Sequence, residues 1–122
     1  MLEGMKAMKG YLIDPYVKLV THLVVDPEDV KRTLGAQYDD CELFDDGDHI
    51  IVYDAGASEE MTGGLYRFEG IFLAGRAAVF GNCIETGTLI DSSITIEQVI
   101  RRVEWGFSRL PEGWRIRLDC VS

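Results

Sequence analysis

No stretch of the chain approaches the roughly 20 apolar residues needed to span a bilayer. The longest apolar segment, Leu19 to Val25, is interrupted by Thr21 and His22. Near the start, Lys6 and Lys9 lead into only Gly10-Tyr11-Leu12-Ile13 before Asp14-Pro15 stops the run, which is not the pattern of a secretory signal. The three cysteines, Cys41, Cys83 and Cys120, are far apart and show none of the paired spacings of a disulfide framework or a zinc site. Together these absences predict a cytoplasmic chain with free thiols and no membrane contact. Histidine is equally scarce: His22 and His49 are the only two, each in a strand-like segment and neither in a metal-ligand spacing. The 13 glycines form neither G-x-G-x-x-G nor a Walker loop and read as turn and bulge positions. No catalytic signature remains, so the expectation is a non-enzymatic protein with no cofactor and no metal.

Positive charge is also short. Lys and Arg number 12 against 21 Asp and Glu, a net charge of −9. This balance argues against direct nucleic-acid binding, because such proteins gain affinity by neutralising phosphates with Lys and Arg. It favours a partner with a basic surface. The remaining composition, 47% hydrophobic and 27% charged over 122 residues, is that of one ordinary globular domain. Met1, Met5 and Met8 crowd the start, so residues 1–7 read as an N-terminal extension and residues 8–122 as a single domain.

Periodicity predicts a hairpin first. Tyr11-Leu12-Ile13 precedes the Asp14-Pro15 turn, and Val17, Leu19, Thr21, Leu23 and Val25 then alternate as one mostly apolar strand face. Asp26-Pro27-Glu28-Asp29 predicts the start of a short helix, with Val25 and Val30 as its staple and Gly35 as its stop. Cys41 to Phe44 and His49 to Tyr53 are two strands joined by Asp45-Asp46-Gly47-Asp48, with Asp-Gly as the hairpin turn. Ala55 to Gly64 reads as a loop, Tyr66 to Leu73 and Ala77 to Ile84 as strands, and Thr86 to Ser93 as a loop or short edge strand. Thr95 and Gln98 have the spacing of a capping box, and Ile96, Val99, Ile100, Val103, Phe107 and Leu110 form a helical stripe ended by Pro111-Glu112-Gly113. A last strand alternates Trp114, Ile116, Leu118 and Cys120 with Arg115, Arg117 and Asp119. The expected fold is α+β: a mostly antiparallel sheet of about six or seven strands, one long C-terminal helix and one short helix.

Charge is uneven along this pattern. Between Thr33 and Tyr66 there is no Lys or Arg, while Asp39, Asp40, Glu42, Asp45, Asp46, Asp48, Asp54, Glu59 and Glu60 are all acidic. The segment from Thr95 onward reverses this, with five arginines against four acids. The acidic stretch reads either as a solvated hairpin whose turn prefers Asp for backbone reasons or as a surface for a basic partner, formed by Asp39, Asp40, Glu42, Asp45, Asp46, Asp48, Glu59 and Glu60. The alternative site is a phosphate or nucleotide clamp made by Arg101, Arg102, Arg115 and Arg117, with Tyr66 or Trp114 stacking on a base. Asp45 to Asp48 lacks the register of an EF-hand. Cys41 and His49 are close enough in the hairpin to be weighed as a nucleophile pair, without the orienting group such a pair needs.

Lys9-Gly10-Tyr11-Leu12-Ile13-Asp14-Pro15, Asp46-Gly47-Asp48 leading into Ile50-Ile51-Val52-Tyr53-Asp54, Leu73-Ala74-Gly75-Arg76-Ala77-Ala78-Val79-Phe80-Gly81 and Thr95-Ile96-Glu97-Gln98-Val99 stand in this order. In that order the chain resembles an uncharacterised family of phage and mobile-element proteins, domain of unknown function 3846, across about residues 8 to 105. The resemblance implies no catalytic residues. It implies a phage or plasmid setting in the host cytoplasm, where small acidic proteins act by binding host machinery, and hence an inhibitor of a host defence system. Edge strands and exposed aromatics leave room for a homodimer.

Overall fold

The computed structural model describes residues 7–60 and 64–107, and the predicted strand from Trp114, with Arg115 and Arg117, lies outside them. Two antiparallel sheets carry the fold. In the larger, β1 (Met8–Asp14), β2 (Leu19–Val25), β3 (Asp39–Phe44), β4 (His49–Asp54) and β7 (Ala77–Cys83) are ordered β2-β1-β7-β4-β3, and β8 (Thr88–Ile90) pairs with β7 beyond the reach of β1. The smaller sheet has β5 (Leu65–Phe68) between β6 (Ile71–Ala74) and β9 (Val103–Phe107). Three short helices, α1 (Val30–Leu34), α2 (Ala55–Glu60) and α3 (Ile96–Arg102), complete the described elements, with a 3-10 turn at Pro27–Asp29 ahead of α1.

The central strand β7 is apolar on both faces, with Ala77, Ala78, Val79 and Phe80 all fully buried. On one face Ala77 and Val79 join Ile13, Ile51, Tyr53, Tyr66, Phe68, Leu73, Val99 and Val103 in the core between the sheets. On the other, Ala78 and Phe80 pack with Ile50, Val52, Val25, Val30 and Leu34 beneath α1. A strand covered on both sides loses its polar alternation, which is why His49-Ile50-Ile51-Val52-Tyr53 reads as an unbroken run and is buried throughout. Gly10 lets β1 lie against this centre. A Cβ there would overlap the Val79 carbonyl oxygen and the Phe80 ring.

Several expectations hold locally. Thr95 and Gln98 form the full capping box, with Thr95 N–H donating to Gln98 Oε1 at 2.8 Å and Gln98 N–H to Thr95 Oγ1 at 3.2 Å. Gly35 ends α1 at φ +70°, and Val25 and Val30 share one core cluster. The Asp45–Asp48 turn closes the β3–β4 hairpin.

The long C-terminal helix is not there. The helix stops at Arg102, Val103 turns to extended backbone (φ −101°, ψ 129°), and residues 103–107 become β9 on the open edge of β5. Pairing of Val103 with Phe68 and Glu104 with Arg67 outweighs the helical stripe, and Gly106 at φ +100° suits a strand edge rather than a helix interior. Ile100, expected in the core, is therefore 49% exposed. The segment read as one strand from Tyr66 to Leu73 is a hairpin, because Glu69 (φ +49°) and Gly70 (φ +86°) make a two-residue turn. Ala55 to Glu60, expected as loop, is helical: Asp54 Oδ1 accepts from Ala57 N–H at 3.0 Å and caps its first turn. In β2, Leu19 stays exposed and only Leu23 and Val25 of the predicted face reach the core, since Lys18 at φ +57° belongs to the loop.

Gly10→Ala should lower stability by about 1–3 kcal/mol or more, because the added methyl meets backbone that cannot yield. Urea unfolding checks this: the midpoint falls while the slope stays unchanged.

Candidate interaction surface

The acidic stretch becomes an edge. Within the described residues β3 pairs only with β4, so no strand covers its other side, where the Asp40 carboxylate accepts from the Cys41 N–H at 2.8 Å. Each residue of β3 faces a β4 partner that is buried or half-buried, yet Asp39, Asp40, Cys41 and Leu43 are exposed. Asp39, Cys41 and Leu43 share the α1 side of the sheet, and Asp40 and Glu42 share the inter-sheet side with buried Phe44.

A recess lined in part by acidic residues flanks the strand on each side. On the α1 side, a recess of about 480 Å³ has Val30, Cys41, Ile50, Val52 and Leu89 as its floor, with Glu28, Asp39 and Asp40 beside it and Lys31 as its one basic member. On the inter-sheet side, one of about 230 Å³ is lined by Phe44, Ile51, Phe68 and Ile71 together with Glu42, Asp45 and Glu69. At the start of the strand, Tyr38 Oη donates to Glu59 Oε1 at 2.6 Å, tying the acidic end of α2 to β3. That hydrogen bond first, then partial desolvation and the neighbouring negative charges, raises the Tyr38 pKa above the usual phenol value. Glu59 and Glu60 are exposed beside it.

The turn carries a different kind of acid. Asp45 (φ +56°) and Asp46 (φ +59°) both sit in left-handed backbone, followed by Gly47 at φ +89°, so the backbone preference of Asp accounts for these two positions. Asp45 Oδ2 is also 3.0 Å from Arg102 Nη2 and 3.5 Å from Nε2 of buried His49. Arg102 Nε reaches Glu69 Oε2 at 2.6 Å, and its guanidinium lies over the Phe44 ring, 5.4 Å from the ring centroid. This clamp engages one of the four arginines, Arg101, Arg102, Arg115 and Arg117, expected to form a phosphate or nucleotide clamp. Arg102 turns back onto the acidic hairpin, Arg101 is exposed, and Arg115 and Arg117 lie outside the described residues. Asp46 and Asp48 are exposed at the tip.

The candidate nucleophile pair is not assembled. Cys41 stands opposite Val52 and His49 opposite Phe44, three rungs apart. Burial, and then Asp40, Glu42 and Asp39, raises the Cys41 thiol pKa above its ordinary value and disfavours the thiolate. Among the described residues no group of three His, Cys, Asp or Glu side chains is placed to hold a metal ion, and no helix is long and apolar enough to cross a membrane.

One polar cluster had no motif to mark it. Arg76 Nε bonds Asp14 Oδ2 at 3.2 Å and its guanidinium lies over Tyr16, joining the end of β1 to the start of β7. Nearby, the Tyr66 hydroxyl is fully buried without a hydrogen-bond partner among the described residues, and burial drives its pKa far above the usual phenol range. The only sequence signs of this cluster were its turns, Asp14-Pro15 and Gly75-Arg76.

Arg102→Ala should cost about 1 kcal/mol, the modest worth of partly exposed ion pairs with one cation–π contact, and the loss should shrink in high salt. Thermal unfolding at two salt concentrations measures it. The pKa of Cys83 is lowered, chiefly by a hydrogen bond with Thr86, so an alkylating agent near neutral pH should modify Cys83 before Cys41. Peptide mass spectrometry over time reads the order, and raising the pH should narrow the gap. No family model, no curated protein and no solved structure matches this chain.

Proposed function

We propose that this protein is a non-enzymatic interaction protein that captures a partner's basic, extended segment along the edge of β3. The observation that carries the reading is the combination at one strand: a sheet edge with no second strand on it among the described residues, exposed Asp39 and Asp40, and a recess lined in part by acids on each face. Strand addition draws affinity from main-chain hydrogen bonds and specificity from recesses that take alternate side chains. Here an added strand would set its apolar side chains over the recesses and its basic ones against the carboxylates on their rims. Asp45 is excluded from the recognition set because Arg102 holds it. The exposed acids that face a partner are Asp39 and Asp40 along the strand, Asp46 and Asp48 at the tip, and Glu59 and Glu60 beside its start. In the phage or mobile-element setting that the resemblance implies, the partner is a host defence protein with a basic surface. The alternative nucleotide clamp has less support, since the only half-buried arginine of its described pair is committed to Asp45 and Glu69.

An extended peptide of alternating Lys and Val is the direct probe. Hydrogen exchange should show new protection of the amides of residues 39–44, and affinity should fall at least tenfold between low and high salt. Asp39→Lys combined with Asp40→Lys should abolish binding and leave thermal unfolding unchanged. Protection elsewhere, or binding indifferent to both salt and charge reversal, rules the reading out.

A further inference from the structure

The opposite edge of the larger sheet has the contrary character. β2 pairs with β1 along its whole length, from Met8 against Val25 to Asp14 against Leu19, and no described strand lies on its other side. Its sequence, Leu-Val-Thr-His-Leu-Val-Val, holds no acid, lysine, arginine or proline, the devices that normally keep an open edge from pairing. Leu19 is 54% exposed and Val24 65% exposed. In a chain of net charge −9, two copies repel on approach, and a neutral strand is where that repulsion is least.

We infer that β2 pairs antiparallel with β2 of a second copy about a two-fold axis at His22, so that the larger sheet runs continuously through both subunits. Three features select this register. It alone pairs all seven residues of the strand with their counterparts: Leu19 with the partner's Val25, Val20 with the partner's Val24, and Thr21 with the partner's Leu23. It sets each exposed apolar side chain beside a less exposed one, Val24 beside the partner's Val20 and Leu19 beside the partner's Val25, on opposite faces of the sheet. It also brings Lys18, in the loop just before the strand, to the end of the partner strand that leads into the partner's Asp26, and symmetry repeats this proximity at the other end. The Asp26 side chain makes no helix-capping hydrogen bond that would compete for it. A shift of the axis by one residue toward Leu23 would bring Asp26 against the partner's Val20, and a shift toward Thr21 would leave Lys18 against the partner's Val24. The β3 edge, lined with acids, repels a second copy of itself and stays open.

Sedimentation of the full chain, alongside circular dichroism, tests the interface. The wild type should run at twice the 13.7 kDa chain mass at about 100 µM. Val24→Lys, at an exposed position, and His22→Asp, which sets two carboxylates side by side at the axis, should each raise the dimer dissociation constant at least tenfold while the fold persists. Ile84→Lys, at an exposed site away from the strand, should change nothing. Lys18→Glu should weaken the dimer, and adding Asp26→Lys should restore it. A monomeric wild type, or a dimer insensitive to both Val24→Lys and His22→Asp, overturns the interface. Failure of the charge swap to restore association overturns the register.

Discussion

Everything in this fold rests on a sheet buried on both faces at its centre. The fully buried run Ala77 to Phe80 places two cores back to back, one facing the smaller sheet and one facing α1. Burial at that strand forces the unbroken apolar run of β4, and it requires the missing side chain at Gly10. It also decides where charge can reside. With the middle of the sheet closed to water, ionised groups are left for the edges, the turns and the helix surfaces, because an unpaired buried charge is costly.

The two ends of the strand order answer that constraint differently. β3 carries acids along an open edge, whereas β2 carries none over its full length. These are opposite solutions for exposed backbone: one discourages like copies and attracts a basic strand, the other invites a neutral strand of its own kind. An assembly using both would join two copies at β2 and present two β3 edges outward, giving a bivalent surface. Arg102 stabilises the outward edge from within. It links the β3–β4 turn to the β5–β6 turn through Asp45 and Glu69, so part of the acidic stretch holds the two sheets together.

Much of this was legible in the residues. The Asp-Gly hairpin, the Thr95 capping box, the stop at Gly35 and the strand from His49 to Tyr53 all follow from local rules, and each appears where its signal stands. The C-terminal helix misled because its stripe of Ile96, Val99 and Val103 fits two conformations. Helical spacing serves the first seven residues, and β5 offers Val103 a ladder that no local rule can see. Gly106 was the dissenting residue within that stripe. Glu69-Gly70 was hidden in the same way, since an apolar run on both sides of a two-residue turn looks continuous.

By itself the sequence determined that antiparallel strands combine with helices, the one-signed stretch from Asp39 to Glu60, the neutrality of Leu19 to Val25 and most of the turns. Those properties depend on residue chemistry and on neighbours a few positions away. Only the tertiary structure decided which strands lie at the edges, which acids are engaged and which are open, and that Cys41 and His49 stay apart. The physical reason is that strand order and pairing join residues distant in the chain: Asp45 meets Arg102 across 57 positions, and Val103 finds its ladder on Phe68. No local pattern encodes such a meeting, because its energy belongs to the assembled sheets.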